Sequence, residues 1–200
     1  GKFEADPAAT ERSLTRIRAL HQKWNGTADG RVAVAVAAHA PDMCSPVLLQ
    51  SLRKLQDDLD AVGTIHLNQY WGEVDMIREN YGILPTEYLK REGYLSDRLI
   101  AAHCRCMTEG EMDILGGAGV TACFNPTIGA RGGYMPNFDH IRSAGCPVVM
   151  GTDERSEDMV EVLRTGMFTE RMRSGLGETF PPTDILRLAT SNGYKRSEEH

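Results

Sequence analysis

Short apolar runs alternate along the chain with longer stretches in which apolar residues recur at helical spacing. The runs fall at residues 32–38 (VAVAVAA), 64–67 (TIHL), 99–102 (LIAA), 120–124 (VTACF) and 147–150 (PVVM). Each is continuous and too short for an amphipathic helix, which predicts strands buried on both faces of a parallel sheet. The stretches between them predict helices over 8–24, 73–81, 137–144, 157–173 and 183–191. Two more carry start signals. Ser45-Pro46 places a capping hydroxyl and a first-turn proline before VLLQSLRKLQDDL, and Thr108 with Glu111 forms a capping box for a helix closed by Gly119. Strand and helix alternating without hairpin signals between the runs imply right-handed βαβ units in an α/β fold. Two architectures satisfy that pattern, an open doubly wound sheet and part of a closed (β/α)8 barrel.

Composition narrows the role more than the fold. A chain of 200 residues with 41% hydrophobic content supports one core, so 1–200 reads as a single domain. The net charge of −6 speaks against a nucleic-acid partner, and the basic clusters at 12–18 and 164–173 are interleaved with acids, as on a solvated helix face. No run reaches the roughly 18 apolar residues of a membrane span, and GKFEADPAATERS lacks the features of a signal peptide. The five cysteines form no dense disulfide framework, so the expected location is a reducing cytoplasm. Cys104-Arg-Cys106 is half a thiolate metal site with no second pair to complete it.

Reactive side chains gather at the ends of the runs. His39 follows VAVAVAA, His66 and Gln69 stand in TIHLNQ, His103 follows LIAA, Asn125 follows TACF, and Asp153 follows VVMGT. In a parallel barrel all strand exits share one mouth, where such residues meet; an open sheet spreads them along an edge. A single histidine at a strand end is commonly a packing residue. Three such histidines and one aspartate offer imidazole nitrogen and carboxylate oxygen, a ligand set suited to zinc or iron(II).

The ordered series HAPDMCSP (39–46), IHLNQ (65–69), AAHC (101–104), NPT (125–127) and GTDE (151–154) resembles the amidohydrolase superfamily, in its branch of cytosine, S-adenosylhomocysteine and triazine aminohydrolases and chlorohydrolases. The resemblance runs from about residue 8 to residue 193 and makes the runs strands four to eight. It implies the C-terminal part of a longer TIM-type barrel and one divalent metal ion, zinc first and iron or manganese next. Metal would fall to His66 and Asp153, with Asp153 also accepting a proton from the nucleophilic water. His103 would polarise the substrate at the bond under attack, and His39 would line its pocket. Asn125 at the next strand exit is a further substrate contact to expect. The small-molecule substrate would be a heterocycle losing an amino group or a halide.

Two departures bear on this. The family's first-strand His-x-His occurs nowhere in the chain: His21 and His140 stand in helical context and His200 at the end. Metal binding would then depend on strands one to three, and the unpaired sheet edges lead one to expect a homo-oligomer. Where the family has a proton-shuttling glutamate, this chain has Gln69, which orients a substrate but carries no proton at neutral pH. Losing one acid–base group costs about 10²- to 10⁴-fold, a handicap for deamination and a smaller one for halide displacement. An inactive, binding-only protein is the alternative. A phosphate-binding open sheet is another, since Ile128-Gly-Ala-Arg-Gly-Gly133 is Gly-rich, but it has neither dinucleotide nor P-loop spacing. The stretch reads better as a mobile loop over the mouth, with Arg131 meeting an anionic substrate group. Met107, Met135 and Met150 read as packing.

Overall fold

A computed structural model describes residues 6–155, 157–177 and 180–197; His200 lies outside them. Its strands are β1 (Val36–Ala37), β2 (Gly63–Leu67), β3 (Leu99–His103), β4 (Thr121–Phe124) and β5 (Val148–Met150). All neighbouring pairs are parallel and the order across the sheet is β1-β2-β3-β4-β5. A doubly wound sheet reverses direction at a switch point, whereas here each strand adds beside the last on the same side. The result is five consecutive units of a (β/α)8-type barrel, with every strand exit at one end.

The helices follow from local chemistry. They are α1 (Pro7–Trp24), α2 (Pro46–Asp58), α3 (Trp71–Tyr81), α4 (Pro85–Arg91), α5 (Glu109–Gly117), α6 (Pro126–Gly132), α7 (Phe138–Ser143), α8 (Met159–Ser174), α9 (Pro182–Ala189) and α10 (Ser191–Ser197). Ser45 caps α2 by accepting the Leu48 N–H at 3.2 Å. At α5 the capping box closes in both directions, Glu111 N–H to Thr108 Oγ1 at 3.3 Å and Thr108 N–H to Glu111 Oε2 at 3.0 Å. Among the described residues no helix is long and apolar enough to cross a membrane.

Four expectations change. The first strand covers only 36–37 of the expected 32–38, because β1 has a neighbour on one side alone and is held there by the Val36 and Ala38 N–H groups, which donate to the Val62 and Thr64 carbonyls. The Gly-rich stretch 128–133 is not a loop but most of α6. Pro126 presets its first turn, and Gly133 ends it in the left-handed region at φ 73°. Helix α4 was not foreseen; it is short, proline-initiated and tied by Glu87 accepting the Leu84 N–H at 2.8 Å. The helix expected over 183–191 breaks at Thr190, where φ −129° and ψ −94° leave helical geometry, to give α9 and α10.

The outer face of the sheet holds the core. Ile65, Leu67, Leu99 and Ala101 pack against Leu49, Leu52 and Leu55 of α2 and against Tyr88, Leu89 and Leu115. Full burial of each such Leu or Ile is worth about 1.5–3 kcal/mol. Met150 is buried there, and Met107 and Met135 lean on the same core, as packing residues should. The alternate residues Thr64, His66, Ile100 and Ala102 face the inner, concave side and are only half-buried.

Candidate active site at the strand exits

Three imidazoles stand in a row: alternation along the strands turns His39 and His66 inward, and the left-handed backbone of His103 at φ 78° brings its ring beside them. His39, exposed and two residues past β1, has its ring 5.0 Å from that of His66, and His66 stacks on His103 at 5.4 Å with 17° between the planes. His66 and His103 come from adjacent strands one position out of register, His66 opposite Ala102 and Leu67 opposite His103. Asp153 arrives from the turn after β5, its Oδ2 3.8 Å from His103 Nδ1. Residues 114 positions apart at the extremes, 39 to 153, thus meet at one mouth.

The protonation pattern is set by neighbours. His66 Nδ1 lies 2.6 Å from the His39 carbonyl oxygen, which can only accept, so Nδ1 carries the proton and the Nε2 lone pair is left for a metal or ligand. His103 is 5% exposed, and burial, reinforced by the Arg105 cation and opposed by Asp153, pushes its pKa down to about 4. It is therefore neutral at neutral pH. The Asn125 Nδ2 amide stands 3.4 Å from His103 Nδ1 and 3.5 Å from Asp153 Oδ2, which favours the proton of His103 on Nε2. Asn125 is buried, and its Oδ1 accepts from the Cys123 thiol at 3.6 Å. Gly151 makes room for it, since a Cβ there would stand 2.7 Å from that oxygen. Asn125 thus touches His103 and Asp153, and a substrate contact would have to share it with them.

Gln69 is half-buried, and its carboxamide makes no hydrogen bond among the described residues. Arg131 lies exposed on α6 with no hydrogen bond or ion pair to the cluster. Arg105 does sit at the mouth: it leaves β3 two residues after His103 and donates from Nη1 to the Ile128 carbonyl at 3.2 Å. A metal centre is only partly furnished here. The free Nε2 of His66 and the carboxylate of Asp153 have the right chemistry, but among the described residues no group of three His, Cys, Asp or Glu is placed to hold an ion. All five cysteines are free thiols; Cys104 and Cys106 are buried, and burial raises both pKa values, against a thiolate site.

Sequence reasoning missed the groups that hold these exits in place. Asn68, fully buried with φ 49°, gives its backbone N–H to Glu73 at 2.8 Å and accepts the N–H groups of Arg105 and Cys106 on its carbonyl. Its side chain donates to the Cys106 carbonyl and to Glu111, and accepts from Thr86. Glu73 also accepts the Gln69 N–H at 2.9 Å, and its burial lifts its pKa to about 8. The two consecutive residues His103 and Cys104 have φ 78° and 51°, so β3 ends in a left-handed turn that this network clasps. A capping-box glutamate at 111 was visible in the sequence; its second partner, Asn68, was not.

Comparison with known proteins agrees with this geometry. The amidohydrolase family matches residues 4–196. A 5-methylthioadenosine/S-adenosylhomocysteine deaminase from Halothermothrix orenii is 30% identical over 200 residues, covering 98% of this chain and 46% of that protein. Among solved structures, a zinc-bound adenosine deaminase from Xanthomonas campestris superposes with a TM-score of 0.85 at 25% identity over 92% of this chain and 42% of the other. Zinc-complexed atrazine chlorohydrolase from Arthrobacter aurescens gives 0.87 at 20% identity over 98% and 45%. The chain spans about half the length of the relatives it matches.

Proposed function

The chain belongs to the amidohydrolase family, and from that premise we propose that the whole protein is a divalent-metal aminohydrolase that removes an exocyclic amino group from an aromatic heterocycle, with an aminopurine nucleoside as the substrate class. The deaminase relatives support the substrate class. The observation that carries the reading is the convergence of His66, His103 and Asp153, with His66 Nε2 free and His103 held neutral. His66 and Asp153 would hold the metal, zinc by analogy with the zinc-bound structures. Such an ion supplies Lewis acidity, lowering the pKa of a water from 15.7 towards about 7.

The chain's own residues divide the remaining work. Asp153, half-buried beside a neutral imidazole, takes the proton of the attacking water. His103 donates from Nε2 to the substrate atom on which charge develops, and it does so without ionising because burial disfavours imidazolium. His39 lines the pocket and holds His66 through its carbonyl. Gln69 orients the leaving group but cannot return a proton to it. That last point favours a second reading, in which the better leaving group of a halogenated heterocycle is displaced, or the protein binds without turnover.

The full-length protein, loaded with zinc, should release ammonia from aminopurine nucleosides slowly, and Gln69→Glu should speed release by about 10²-fold or more. Bound metal, measured by atomic emission, should fall in His66→Ala. Chloride release from a chlorotriazine without ammonia release would move the reading to halide displacement. Silence in both assays, with Gln69→Glu silent too, would leave only binding.

A further inference from the structure

Arg105 stands apart from Arg53 and Arg98, half-buried arginines that pair with carboxylates; Arg53 reaches Asp57. Arg98 pairs with Asp57 and Asp60, and Arg173 with Glu170 and Asp139. Arg105 is half-buried yet, among the described residues, forms no ion pair: its side chain donates to the neutral Ile128 carbonyl, and its buried Nε has no partner among them. Gly129 and Gly132 of α6 pass beside its stem and fork, where a Cβ on Gly129 would lie 3.7 Å from Arg105 Cδ and one on Gly132 would lie 3.4 Å from Nη1. Its backbone is pinned by the N–H donated to the Asn68 carbonyl at 3.1 Å, so the side chain leaves from a fixed point between the exits of β3 and β4.

We propose that Arg105 is a specificity-determining residue whose unpaired donors receive an oxyanion, carboxylate or phosphate, carried by the non-reacting part of the substrate. The inference rests on the aminohydrolase reading and deepens it by naming a charge that the substrate must bring. A desolvated cation without an anion is costly, and a planar fork with free N–H groups matches two oxygens of one anion. Burial pulls the Arg105 pKa below its usual value, outweighing the opposing influence of neighbours that include Asp153 and Glu73. Arg131, the cation first expected to meet such an anion, is exposed on α6, two residues beyond the glycine that flanks the Arg105 stem.

The test uses the full-length, zinc-loaded protein and two matched probes, adenosine 5′-carboxylate and adenosine 5′-carboxamide. Wild type should prefer the carboxylate in kcat/KM, and Arg105→Gln should cut that preference, the ratio of the two kcat/KM values, by about 10- to 100-fold. Equal losses on both probes would make Arg105 a strut for α6 through Ile128, and no preference in wild type would equally overturn the proposal. Should Arg105→Gln fail to fold, Arg105→Lys decides: it keeps the charge and loses the fork, so an unchanged preference refutes fork recognition and a reduced one supports it. Should wild type release no ammonia from either probe, the aminohydrolase reading fails by itself. Calorimetric binding of the two probes to wild type and variant then decides on Arg105, and identical affinities overturn it.

Discussion

His103 carries two demands that pull against each other, since it must stand beside the carboxylate of Asp153 and yet remain uncharged. Burial wins over the attraction, and the Arg105 cation helps. A base whose pKa is about 4 when folded and about 6.5 when unfolded binds fewer protons in the native state between those values. The His103 contribution is therefore fully present above pH 6.5 and is lost as pH falls through that window towards 4. Glu73, with its pKa lifted to about 8, contributes a slope of the opposite sign, so the loss is read as the difference between wild type and His103→Gln in urea unfolding across pH 7 to 4; a difference that does not change with pH would mean that His103 protonates without cost in the fold. The residue's place was readable from the sequence, because a histidine that ends an apolar run points to the exit of a strand. Its neutrality was not, because neither Arg105 nor the closing walls can be located without coordinates.

Among elements, the join between the ends of β2 and β3 matters most. Asn68 binds both, with its backbone in the left-handed region and its side chain in three hydrogen bonds to buried partners. Asn68→Gly keeps the backbone conformation and removes the side chain, leaving Glu111 and the Cys106 carbonyl short of a donor. The expected loss is about 2–4 kcal/mol by chemical denaturation, since each orphaned buried group costs roughly 1–3 kcal/mol. A loss under about 0.5 kcal/mol would show that water replaces the amide. The expected runs 64–67, 99–102, 120–124 and 147–150 match β2 to β5 within a residue at each end; β2, β3 and β4 each lie between two strands, and β5, with one neighbour, is buried along its whole length. At the sheet edge the same reasoning overshot by five residues, 32–35 and 38. Helices α4 and α6, seven residues each, have too few turns for a period and announce themselves only by proline at the first turn and, for α6, glycine at the end.

At the scale of the molecule, the sheet has two strands with a single neighbour each, β1 and β5. Val36 and Ala38 turn their N–H groups to β2, so alternation turns that of Ala37 outward. The 200-residue chain produced alone should associate through this edge, running above the 22.1 kDa of a monomer in sedimentation. Ala37→Pro should shift it towards monomer while lowering the melting temperature by only a few degrees, because the proline removes a donor that the ladder does not use. A variant as associated as wild type would place the contact elsewhere.

The left-handed turn at His103 and Cys104 also sets an order of events during folding. Each of these residues, taken alone, disfavours that conformation by about 1 kcal/mol or more, so the turn has no reason to form in an isolated β3. It becomes favourable once the Asn68 carbonyl is present to receive Arg105 and Cys106, and that carbonyl takes its place only after β2 has paired with β3. The His103 imidazole is thus among the last groups to be aimed, and a chain can hold its helices and most of its sheet while that ring has yet to find its place.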